Sequence, residues 1–99
     1  MAVFVLLKAI AADTAGPEVA MRVIGSAQPP ARIVLQIAIT GTATVQIQGR
    51  VAKEAPWQNI GPAHSASALL HIDAVQFLRA VTAGVGEKSV VSAWAVWGW

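Results

Sequence analysis

Ile33-Val-Leu-Gln-Ile-Ala-Ile-Thr40 and, after Gly41-Thr42-Ala43, Thr44-Val-Gln-Ile-Gln-Gly-Arg-Val51 decide how this 99-residue chain folds. In the first stretch Ile33, Leu35, Ile37 and Ile39 point one way and Val34, Gln36, Ala38 and Thr40 the other. In the second, Val45, Ile47 and Val51 oppose Thr44, Gln46, Gln48 and Arg50. Successive side chains of a strand alternate between faces, so apolar residues at period two describe strands with one face buried. Gly49 interrupts the apolar series and marks a bulge or a close backbone approach. Two such runs joined by a short glycine-containing linker predict a β-hairpin.

Working outward, the same reading extends to both ends. Ala2 to Ala9 is a strand by its β-branched and aromatic content. Asp13-Thr-Ala-Gly16-Pro17 is a turn cluster, and Val19 to Ile24 is a short strand ending at Gly25. Pro29-Pro30 then enforces an extended break. Downstream, Trp57 to Ile60, Ala68 to Ile72, Val75 to Val81 and Lys88 to Trp97 read as strands, separated by Gly61-Pro62 and by Ala83 to Gly86. Ser67 to Val81 also fits helical spacing through Leu69, Ile72, Val75 and Leu78, with Ser67 as a cap. The glycine and proline punctuation favours strand-turn-strand. The expected fold is all-β: one antiparallel β-sandwich spanning residues 1–99, jelly-roll or immunoglobulin-like, of about seven or eight strands.

Composition narrows what such a domain does. Apolar residues make up 56% of the chain and charged residues 12%, against roughly 25% charged in an average soluble domain. A domain this small buries only about two-thirds of its unfolded surface. The remaining apolar surface is expected to face partners. No run approaches the ~18 uncharged apolar residues of a spanning helix. Met1 to Ala12 has Lys8 inside its apolar core and is not expected to act as a signal peptide. The seven basic residues are scattered among five acids, which gives no stripe for nucleic acid. The chain has no cysteine, so disulfides and thiolate metal sites are excluded.

Thr40-Gly-Thr-Ala-Thr-Val-Gln-Ile-Gln-Gly49 followed by Trp57-Gln-Asn-Ile60 resembles a pattern of small tailed-phage structural proteins. There, a Gly-Thr strand ends in glycine, a short polar loop follows, and a Trp opens the next strand. Ile72-Asp-Ala-Val-Gln-Phe-Leu-Arg-Ala80, Ala83-Gly-Val-Gly86 and the alternating terminal strand are similar to the second half of that pattern. The opening Val5-Leu-Leu-Lys-Ala-Ile10, with Gly16-Pro17 and the strand after it, fits its start. The resemblance covers most of the chain and departs from the pattern in the loop from Arg50 to Pro56. It implies a β-sandwich protein of the virion, either a capsid decoration (cement) protein or a head-tail or tail accessory subunit.

The residues themselves offer little chemistry. His64 and His71, with Asp73 as a third ligand, fall short of a zinc set. Asp13, Glu18, Glu54, Asp73 and Glu87 all fall at turns or strand ends and form no positioned carboxylate pair. Ser65 and Ser67 lack a nucleophile elbow. Gly84-Val-Gly86 opens no helix, as a phosphate loop requires. No enzyme activity, metal or cofactor is expected. Arg79 is expected either to lay its stem on the sheet or to pair with Asp73, Glu54 or an acid of a neighbouring subunit.

The aromatic residues are the better guide. In a strand Trp94 faces away from Trp97 and Trp99, so the last strand carries large aromatics on both faces, and Trp is a frequent interface anchor. The first and last strands are therefore the expected contact elements, with Phe4, Leu6, Trp57, Trp94, Trp97 and Trp99 as the subunit interface. The expected partners are further copies of the chain, as a dimer or trimer, and the major capsid protein or other virion subunits, with neither nucleic acid nor membrane. The expected location is the capsid surface, after synthesis in the host cytoplasm. The alternative outside this class is a carbohydrate-binding sandwich module with an aromatic sugar platform.

Overall fold

The computed structural model describes residues 3–21, 32–73 and 75–98. Within them the chain forms β1 (Val3–Ile10), β2 (Thr14–Ala15), β3 (Val19–Ala20), β4 (Arg32–Thr40), β5 (Thr44–Arg50), β6 (Gln58–Asn59), β7 (Ala68–Asp73), β8 (Phe77–Ala83) and β9 (Val90–Gly98). One sheet has the order β1-β9-β4-β7 and the other β2-β8-β5-β6, with β3 also on β8. All pairings are antiparallel. The protein is an all-β sandwich.

The partners nest. β5 pairs with β6, β4 with β7, β2 and β3 with β8, and β1 with β9. That is one long antiparallel hairpin, with its tip between β5 and β6, rolled so that successive rungs fall in alternate sheets. Of the two expected sandwich types, this is the jelly-roll arrangement.

The nesting corrects the predicted hairpin. β4 and β5 both exist, but they lie in different sheets and Gly41-Thr42-Ala43 is an arch between them. Gly41 has φ +92°, and a Cβ there would stand 2.3 Å from Ser89 Oγ. The buried Ser89 hydroxyl accepts the Thr42 N–H at 2.8 Å, and Gly86 N–H donates to Thr42 O at 2.8 Å. The arch is thereby pinned to the β8–β9 connection.

Two further expectations change, and residues 67–81 take the favoured strand-turn-strand form. The turn cluster at residues 13–17 holds β2, whose Thr14 and Ala15 pair with Thr82 and Val81. This is why nine strands appear among the described residues, not seven or eight. Residues 67–81 form two strands in opposite sheets, which excludes the helix. Val51 lies beyond the end of β5 and is exposed, not on the inner face with Val45 and Ile47. The stretch from Arg22 to Pro30 lies outside the described residues.

The core is filled as the periodicity requires. Ile33, Leu35 and Ile37 of β4 meet Val45 and Ile47 of β5 and Leu78 and Ala80 of β8. Across β4, the register sets Leu35 opposite Ala95 and Ile37 opposite Ala93. Large residues thus face small ones, which fills the space between sheets without overpacking. Gly49 takes a core position of β5 in unbroken register with β8. It marks a close approach and not a bulge: a Cβ there would meet Ile60 Cδ1 at 2.7 Å. One buried hydroxyl, Thr82, is satisfied locally. It donates to Ala12 O at 2.8 Å and accepts the Thr14 N–H at 2.9 Å.

Candidate functional site

Directly opposed residues of an antiparallel pair share a face. The register of the β1-β9-β4-β7 sheet therefore fixes its outer surface. One row runs Val3, Val96, Val34, His71, and the next runs Val5, Trp94, Gln36, Leu69. Six of these eight side chains are apolar and they span all four strands, roughly 14 Å at the usual strand spacing. Val3 is 60%, Val5 45% and Leu69 65% exposed. Trp94, Val34 and Val96 are half-buried among them.

The outer face of the other sheet is different. Across β5 and β8 it pairs Thr44 with Ala83, Gln46 with Val81, Gln48 with Arg79 and Arg50 with Phe77. Arg50 gives Nη2 and Nε to Glu18 Oε1 at 2.6 and 3.2 Å and Nη1 to Lys53 O at 2.8 Å. Its guanidinium lies 4.4 Å from the Trp57 ring centre, and that of Arg79 lies 4.5 Å from the same centre. Arg79 Nε donates to Gln48 Oε1 at 2.7 Å, and Gln48 Nε2 donates to Asn59 Oδ1 at 2.9 Å. Two guanidinium groups thus hold Trp57 by cation–π attraction, inside a hydrogen-bonded polar network. Arg79 pairs with neither Asp73 nor Glu54.

The expected interface residues separate in space. Leu6 is completely buried and has no surface to offer a neighbour. Phe4 lies opposite Ala95 and packs against the core. A register shift between Val5 and Leu7 turns both Leu6 and Leu7 inward, so Val3 and Val5 carry the outer apolar surface of β1. Trp94 lies on that surface. Trp57 lies on the opposite sheet, under the arginines. Trp97 is placed by its backbone opposite Ile33, and Trp99 lies outside the described residues. The last strand is not an edge: β9 sits between β1 and β4. The signal for Val3 and Val5 was their alternation with Phe4, readable only once β1 is known to lie beside β9.

A third feature is an open cleft of about 730 Å³ on the side where β7 faces the 59–64 segment. His64, His71 and Asp73 contribute to its lining. Among the described residues no three His, Cys, Asp or Glu side chains converge as metal ligands would. The His64 backbone is tied to β5, exchanging both hydrogen bonds with Val45 at 2.8 Å.

Comparisons of the chain with family models, with curated proteins and with solved structures return no match.

Proposed function

We propose that this protein is a non-enzymatic assembly subunit, a virion structural protein of the decoration type, that docks through the outer face of the β1-β9-β4-β7 sheet. The observation that carries this reading is the difference between the two outer faces. One presents Val3, Val5, Val34, Trp94, Val96 and Leu69 across four strands, while the other is closed by Arg50, Arg79, Gln48 and Asn59 around Trp57. Contiguous exposed apolar surface on a small soluble domain marks an interaction site. A Trp flanked by Val5 on β1 and Val96 on its own strand, with Gln36 on β4, has the composition of an interface anchor. The phage resemblance supplies the kind of partner: a protein lattice on which many copies each add a modest contact.

Jelly-roll sandwiches occur in both capsid and lectin domains, so the fold admits a sugar-binding reading as well and decides nothing by itself. The stacked guanidinium groups occupy Trp57, which makes it a poor sugar platform.

The test is co-sedimentation with particles of the phage that carries the gene, stripped of this protein. Wild-type protein is expected to bind in many copies per particle. The double variant V5K/L69K, changed only at exposed positions, is expected to lose binding while keeping its melting temperature. Equal binding by the variant, or no binding by the wild type, overturns the proposal.

A further inference from the structure

We propose that the free edge of β7 is a dimerisation edge, pairing antiparallel with β7 of a second copy of this chain. Each sheet has two edges, and three of the four are unsuited to strand addition. β6 spans two residues, and so do β2 and β3. β1 is longer but carries devices that protect natural edges from pairing. Its register with β9 shifts twice, Lys8 is exposed, and Ala9 is left-handed at φ +49°. β7 has neither a register shift nor a left-handed residue, and its one charge, Asp73, lies at its end opposite Arg32. It holds six residues in unbroken register with β4, from Ala68 opposite Ile37 to Asp73 opposite Arg32. Among the described residues, its backbone pairs with β4 alone.

The side chains on this edge also want cover. Leu70 and Ile72 point inward, pack on the core only in part, and line the open cleft with Ile60 and Val75. Among the described residues, the sandwich is therefore unsealed along the same edge that offers unpaired backbone groups. A strand added there satisfies both needs, backbone by hydrogen bonds and side chains by burial.

A second copy fits the edge by symmetry. A twofold axis normal to the sheet reverses the strand and keeps inner faces inner, so the contact is self-complementary. Centring the axis on His71 sets Leu70 opposite Ile72 of the partner subunit, and Ile72 opposite the partner's Leu70. Each cleft-lining residue then meets another. Centring on Leu70 instead would waste Ile72 on the small Ala68. The result is a continuous eight-stranded sheet in which His71 faces its own symmetry mate on the outer surface. This contact does not depend on what covers the outer face of the sheet.

The absence of cysteine makes the test direct. Opposed residues of an antiparallel pair have Cα atoms about 4.5–5.5 Å apart, within disulfide reach. Under mild oxidation H71C is expected to form a covalent dimer, and V3C, on the β1 edge, is expected to form no disulfide-linked dimer. Wild-type protein should sediment at twice the chain mass. H71K, which sets two ammonium groups face to face, should weaken the dimer by about tenfold or more, with an unchanged circular dichroism spectrum and, at concentrations where both proteins are monomeric, an unchanged melting curve. A wild-type monomer at its highest soluble concentration, cross-linking of V3C equal to that of H71C, or an H71K dimer as tight as the wild type would each overturn the proposal.

Discussion

Replacing Gly41 by Ala tests whether the arch between the sheets is held from outside itself. Two penalties apply. The first is conformational: Gly41 has φ +92°, and an L-residue in left-handed space costs about 1–2 kcal/mol. The second is local to this arch. The new Cβ would collide with Ser89 Oγ and Cβ, at 2.3 and 2.9 Å. Ser89 is sealed in, so relief requires moving the hydroxyl that accepts the Thr42 N–H. Losing the partner of this part-buried donor costs up to about 1–3 kcal/mol. The total is about 2–5 kcal/mol, a large part of the roughly 5–15 kcal/mol that stabilises a domain of this size. Gly61 is the control. It also has positive φ, +68°, but nothing stands within 4 Å of its would-be Cβ. G61A should therefore cost only the conformational term. Urea unfolding followed by tryptophan fluorescence should place G41A about 1–3 kcal/mol below G61A. The gap in melting temperature should be at least about 4 °C, since each kcal/mol shifts a domain of this size by about 4–8 °C. Equal stabilities for the two variants would refute the pinning by Ser89.

Two other substitutions probe the frame. Leu6→Ala should cost about 2–5 kcal/mol, the usual penalty for a cavity at a sealed site, and leave particle binding of the folded protein unchanged. Thermal unfolding and co-sedimentation of the same sample read both effects. Thr82→Val keeps the shape but strips the hydroxyl from the Thr14 N–H and Ala12 O. It should cost about 1–3 kcal/mol in chemical denaturation, whereas Thr82→Ser, which keeps the hydroxyl, should cost clearly less.

What the sequence disclosed follows the range of the forces involved. The alternation at Ile33, Leu35 and Ile37 and at Val45 and Ile47 is local, and those residues do form the buried faces of two strands. Whether Gly41-Thr42 makes a hairpin or an arch is not local. It depends on β4 finding β7 and β9 while β5 finds β6 and β8, and a short glycine linker serves either outcome. Thr14 and Ala15 read as turn residues because a two-residue strand has no periodicity. Only the partner Thr82–Val81 makes it one. Leu6 shows the cost of ignoring a bulge: one extra residue in β1 sends two neighbouring leucines inward. Arg79 found Gln48 and Trp57 because β5 and β8 are adjacent, a pairing 31 residues apart in sequence. The surplus of apolar composition was legible from the start. Its location was not, because it required the order of strands in the β1-β9-β4-β7 sheet.

Oxidative footprinting of Trp94 in the free protein and in intact particles tests most directly that this outer surface is the one that docks. Trp94 is expected to be modified readily in solution and protected on the particle, while exposed Val51, beyond the end of β5 in the other sheet, keeps its reactivity. Equal modification of Trp94 in both states would contradict docking through this surface.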